Sequence, residues 1–129
     1  MRNAATRLCL QNLKKKFSCG QKFKILRGYI IQRGGMEILI LALVKARYSR
    51  SGALTALKDE WLGTTLAEVV SKRKIGVYNP ISDSMVNWMS KTGFKPDDCI
   101  KIGEKINLFI YPTTSAESKY LKILSNLGY

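Results

Sequence analysis

Residues 100–110 carry apolar side chains at every second position. Ile100 and Ile102 form one arm, Ile106, Leu108 and Ile110 the other, and Gly103-Glu104-Lys105 lies between them. A period of two puts each arm's apolar side chains on one face of an extended chain, so this stretch predicts a β-hairpin with one buried face. The surrounding residues are consistent with that demand. Upstream, Ile75 and Val77 follow the basic triplet Lys72-Arg73-Lys74 and predict a short strand, ended by Asn79-Pro80. Ser82 or Asp83 can cap a helix through Met89, with Met85, Val86, Trp88 and Met89 as its apolar contacts. Gly93 stands where a helix end takes a left-handed residue, and Phe94 is placed to fold back on that helix. Lys95-Pro96-Asp97-Asp98 reads as a turn and Pro112 closes the hairpin. Ser115 or Glu117 then starts a terminal helix with Tyr120, Ile123, Leu124 and Leu127 on one face, ended by Gly128.

The first half reads differently. Leu10, Leu13 and Phe17 recur at helical spacing with lysines on the other side, which predicts a basic amphipathic helix over 4–17. Three roles are open to it: lying on phosphates, serving as an organelle presequence, or packing as a surface helix. Residues 22–31 alternate briefly, with Phe23 and Ile25 inward and Lys22 and Lys24 outward, and predict a short strand broken by Arg33-Gly34-Gly35. Met36–Tyr48 is the most apolar segment. Its uninterrupted run, Ile38–Val44, is far shorter than the ~20 residues needed to cross a bilayer, so no transmembrane span is expected. Its Leu and Ala content, followed by Lys45-Ala46-Arg47, predicts a buried core helix. Ser49-Arg50-Ser51-Gly52 reads as a loop, with Ser51 as cap for a helix to Trp61 or Leu62. Leu54, Leu57, Trp61 and Leu62 make that helix's apolar face, and at this spacing Trp61 reads as core rather than as a base-stacking platform. Gly63 ends the helix, and Thr64 or Thr65 can cap another over 66–71.

The expected fold is therefore α+β: an N-terminal helical region, then a strand-helix-β-hairpin module with a terminal helix. The expected segments are a basic arm (1–35), a helical region (36–71) and the module with its terminal helix (72–129).

Charge narrows the partner. The 129 residues carry a formal net charge of +13, with a sequence pI near 9.9. Residues 1–36 hold nine Lys/Arg and no acid, so the excess sits at the front of the chain. A run of that length repels itself unless an anion neutralises it, which points to nucleic acid or an anionic membrane surface. There is no His, which excludes imidazole general-base catalysis, His-ligated metals and Cys/His zinc fingers. Cys9, Cys19 and Cys99 are odd in number and fit neither a CxxC pair nor a disulfide framework, so they read as reduced thiols of a cytoplasmic or nucleoid- or nucleus-associated protein. No GxxxxGK[ST] or GxGxxG occurs. Asp59-Glu60 and Asp97-Asp98 are adjacent pairs whose side chains point apart on a helix or sit in a turn, so no cofactor is expected.

Pro80, Trp88-Met89, Gly93-Phe94 and the hairpin to Pro112 stand at the spacings of the SymE-like toxins, which this third of the chain resembles. Arg73-Lys74-Ile75-Gly76 and Lys95-Pro96-Asp97-Asp98 look more loosely like the SpoVT/AbrB swapped-hairpin regulators. The chain departs from both: Asp97 stands where both place a glycine, Ser84-Met85-Val86 replaces a Leu-x-Gly, and Pro80-Ile81 reverses an Ile-Pro. The resemblance implies an intertwined homodimer and DNA or RNA binding through basic side chains near the first strand. With the basic arm, the expected nucleic-acid contacts are Lys14, Lys15, Lys16, Lys22, Lys24, Arg27, Arg33, Lys72, Arg73 and Lys74. The expected function is that of a small nucleic-acid-binding regulator or toxin-like factor acting through phosphate contacts. The alternative is a viral or mobile-element accessory protein that binds host protein, its basic arm a targeting or membrane-surface signal. A metal-dependent nuclease using Asp or Glu ligands is the third reading.

Overall fold

The computed structural model describes residues 10–65, 68, 72–80, 82–102 and 105–112, with backbone alone for 97–102 and 105–107. The expected terminal helix, most of the helix over 66–71, and Arg2, Arg7 and Cys9 lie outside the described residues.

Glycine fixes the first long element. Gly34 and Gly35 both have positive φ, 58° and 79°, which matches the twist of a two-residue hairpin turn. The turn joins β2 (Phe23–Arg33) to β3 (Met36–Ala46), with Arg33 opposite Met36. β1 (Gln11–Asn12) pairs antiparallel with the middle of β2. The N-terminal half is therefore strand-dominated, and the expected helical region is overturned. A 3₁₀ turn over Ser18–Lys22 is the helical piece between β1 and β2.

Met36–Ala46 shows why. Ile38, Leu39, Ile40 and Leu41 are consecutive and each is 0–1 % exposed. A strand between two apolar layers buries both faces and so reads as a continuous apolar run. Burying each such side chain is worth about 1.5–3 kcal/mol, whereas helix propensities differ by tenths. Burial wins, and the Leu and Ala content that favours helix is overridden.

Beyond β3 the chain forms α1 (Ala53–Leu62) and returns as β4 (Arg73–Tyr78), parallel to β3 from Glu37↔Arg73 to Leu41↔Val77. Next come α2 (Asp83–Thr92), β5 (Lys95–Ile102) and β6 (Lys105–Tyr111). Lys95–Asp98 belongs to β5 and is not a turn. Among the described residues, six strands form one sheet in the order β1-β2-β3-β4-β6-β5. Every pairing is antiparallel except β3–β4.

Two apolar clusters use this sheet. In one, Leu13, Phe23, Leu26, Leu39, Leu41, Ile75 and Val77 meet Leu57, Trp61 and Leu62 of α1 and Met89 of α2. The other gathers Ile31, Ile38, Ile40, Leu108 and Ile110. Phe94 stands between Trp88 and Tyr111, with ring centroids at 5.2 and 5.6 Å. No helix among the described residues is long and apolar enough to cross a membrane.

Candidate anion-binding site

Because β2 and β3 are antiparallel, the start of one lies beside the end of the other. Phe23 pairs with Ala46 and Ile25 with Lys45, and the Arg47 amide donates to the Lys22 carbonyl at 2.9 Å. The backbones of Lys22, Lys24, Lys45 and Arg47 are thus gathered at one end of the sheet, and Arg50 follows in the loop. Arg47 Nε donates to the Gln21 carbonyl at 2.7 Å, which fixes that guanidinium beside the 3₁₀ turn. Residues 10–58 hold eleven Lys/Arg and one acid, Glu37. Glu37 sits at the other end of β3, 3.2 Å from Arg73 Nε.

α1 begins at this cationic end. Its N-cap is Gly52, not Ser51, with φ 75° and no side-chain cap hydrogen bond, and no acid lies in its first turn. Arg50 is also left-handed, at φ 57°. A helix start with its amides uncapped carries partial positive charge and favours an anion. β3 itself continues through Ala42–Ala46 past its last pair with β4, after a register shift opposite Arg27 and Gly28. Among the described residues, the β4-facing edge of Ala42–Ala46 has no strand partner.

The expected contact residues divide into two groups. Lys15, Lys16, Lys22, Lys24 and Arg27 are exposed, and Lys14 is half-buried. Lys14 and Lys15 line a shallow groove of ≈ 390 Å³ with Phe17, Ser18, Gly20 and Gln21. Arg33 lies at the hairpin turn, nine residues along β2 from Lys24, or about 30 Å in extended chain. Lys72, Arg73 and Lys74 stand where β4 begins, beside the start of β3, so they share the hairpin end. The two ends are separated by several Debye lengths of about 8 Å, so their charges act separately.

Of the triplet, Lys72 and Arg73 are exposed and Lys74 is half-buried. Arg73 is nevertheless held by its neighbours. Its guanidinium lies 4.3 Å from the Trp61 ring centroid, donates to the Trp61 carbonyl at 3.2 Å and pairs with Glu37. Lys74 Nζ donates to the Pro112 carbonyl at 2.9 Å. The Trp61 indole donates in turn to the Lys74 carbonyl at 2.6 Å, tying α1 to β4. The geometry gives Arg73 and Lys74 structural work.

Sequence reasoning missed Lys45, Arg47, Arg50 and Gly52. Their signal was a basic run ending in Ser51-Gly52 ahead of a leucine-spaced helix, and it was hidden by reading β3 as a helix.

Near the groove, Glu60 accepts from Ser18 N at 2.9 Å, Ser18 Oγ at 2.8 Å and Cys19 N at 3.2 Å. Burial alone would raise the Glu60 carboxyl, but the Ser18 and Cys19 hydrogen bonds prevail and hold it below its ordinary value. Burial first, then the Glu60 carboxylate, push the Cys19 thiol up to about 11, so it stays protonated and unreactive at neutral pH. No group of three or more Cys, Asp or Glu that could hold a metal ion occurs among the described residues.

A scan against protein families finds no match, and a search of curated proteins finds none. Among solved structures, the chain is similar to the AtaT Y144F mutant toxin bound to the C-terminus of the antitoxin AtaR and acetyl-CoA. The identity is 17% and the TM-score 0.40, over 74% of this chain and 61% of that chain. The chain thus spans less than two thirds of that protein's length, and a likeness this loose carries no argument about fold or function.

Proposed function

We propose that the protein binds a phosphate-bearing ligand at the end of the sheet where α1 begins. The observation that carries this reading is the convergence of Lys22, Lys24, Arg47 and Arg50 around that end, with no acid in the first turn of α1. Phosphate oxygens would take the first-turn amides and the cations together. The edge of Ala42–Ala46 adds a second preference. Backbone donors and acceptors there suit an extended arm bearing amides, laid alongside β3 as a strand would be. A nucleotide joined through a diphosphate to an amide-bearing arm meets both demands, and acetyl-CoA is the test molecule of that chemistry.

Nucleic acid is the second reading. The exposure of Lys15, Lys16 and Arg27, outside that convergence, favours it. Arg73 and Lys74 do not add to it, because both are engaged within the fold.

One calorimetric series separates the two. Titration with acetyl-CoA and with a short DNA duplex is repeated on Ser51→Asp and on Lys15→Gln/Lys16→Gln. The first reading expects acetyl-CoA binding to fall about tenfold or more in Ser51→Asp and to persist in the lysine variant. Duplex binding that falls steeply with salt, and with the lysines, marks the second. No heat from either titration at low salt would overturn both.

A further inference from the structure

The sheet face carrying the second apolar cluster is covered over part of its area. Ile31, Ile38, Ile40, Leu108 and Ile110 are buried there. The same face continues along β2 and β3 to the cationic end and is open. Residues opposite each other in an antiparallel pair share a face, as do residues two apart in a strand. The pairs Ile25↔Lys45 and Arg27↔Leu43 therefore lie together on one side. Asn12 of β1, opposite Arg27, joins them. Ile25 is 41% exposed and Leu43 50%, and Lys45 and Arg27 are exposed as well. The four make a checkerboard, each apolar side chain directly across from a cation. The described part of β1, β2 and the end of β3 offers no acid to answer those cations.

We propose that this checkerboard docks an acidic amphipathic segment of a partner protein. Phosphates alone would be answered by Arg27 and Lys45 and would gain nothing from Ile25 and Leu43. A segment that alternates carboxylates with apolar side chains uses all four. Its carboxylates meet the cation heads, and its apolar groups cover Ile25, Leu43 and the aliphatic stems of Arg27 and Lys45. The site lies on the sheet face opposite α1, so it does not depend on what the α1 start binds.

The test uses the full chain and three labelled probes in fluorescence anisotropy. They are a peptide of alternating leucine and glutamate, an all-glutamate peptide of equal length, and a short DNA duplex. The leucine-containing peptide is expected to bind about tenfold or more tighter than the all-glutamate peptide. Ile25→Thr/Leu43→Ser removes that advantage, while Arg27→Gln/Lys45→Gln weakens both peptides. A urea midpoint for each variant shows that the fold is kept. Equal affinity for the two peptides overturns the proposal. So does a leucine preference that survives Ile25→Thr/Leu43→Ser. Duplex binding that exceeds both peptides and is lost with Arg27→Gln/Lys45→Gln assigns the surface to nucleic acid instead.

Discussion

α1 and α2 begin in opposite ways. α2 is closed at its start: the Ser82 side chain accepts from Met85 N at 3.1 Å, and Asp83 places a carboxylate in the first turn. α1 starts at Gly52 with neither device. It is held at its far end instead, where Glu60 clasps Ser18 and Cys19 and Trp61 reaches Lys74. A helix needs its orphan amides answered, but the answer need not come from its own chain. Anchoring α1 from behind leaves its start for something negative, whereas α2 has used that position on itself.

Substitutions can break this contrast. Trp61→Ala should act most strongly, because it removes a buried ring, the bond to the Lys74 carbonyl and the seat of Arg73. A loss of about 3–5 kcal/mol in urea unfolding is expected, and a loss below about 1 kcal/mol would mean that α1 is held elsewhere. Glu60→Gln should cost about 1–2 kcal/mol at neutral pH, by loss of charge-assisted hydrogen bonds at a partly exposed site. The folded Glu60 carboxyl is held below its ordinary value of 4.5, so its contribution is full above that pH and fades as pH falls through the folded value. The gap between wild type and Glu60→Gln should therefore be flat from pH 6 to 8 and close below about 4.5 in thermal melts. A gap that widens in acid would reverse the assignment.

Ser82→Ala should cost about 1 kcal/mol, the usual worth of an N-cap, read from the urea midpoint. Ser51→Asp is the mirror test at the other helix. It should leave stability within about 0.5 kcal/mol and yet repel an anionic ligand, so melting and binding must dissociate. Cys19 gives the smallest readout. Its alkylation by iodoacetamide should stay slow at neutral pH and rise as pH nears about 11, and fast labelling at pH 8 would show an open 3₁₀ turn.

The sequence was legible where neighbours alone decide the structure. Ser82, Gly93 and Phe94 placed α2 and its exit, and the alternation from Ile106 to Ile110 placed β6. Leu57, Trp61 and Leu62 marked the buried face of α1. It was illegible where distant residues decide. Ile38–Leu41 has no period because both of its faces are buried, Leu39 and Leu41 on the α1 side, and Ile38 and Ile40 on the other alongside Leu108 and Ile110 of the same sheet. Gly34-Gly35 reads as a break in the sequence and is a hairpin turn in the fold, because the apolar run after it is a strand. Arg73 is a surface cation with companions, and nothing nearby in sequence announces Trp61 or Glu37 as those companions.

The parallel pairing of β3 with β4 also sets an order of assembly. Arg33 meets Met36 across a two-residue turn, and such hairpins close in about 1–10 μs. Glu37 meets Arg73 only after the loop that includes α1 has been gathered in. Closing a loop roughly twelvefold longer costs about 2 kcal/mol more chain entropy. The β2–β3 hairpin is thus the natural early partner and the docking of β4 the late step. Stopped-flow refolding should find Leu57→Ala in α1 slowing the rate, and Ser82→Ala in α2 mainly hastening unfolding. On this view α1, besides presenting its open start to an anion, acts as the clock of the fold.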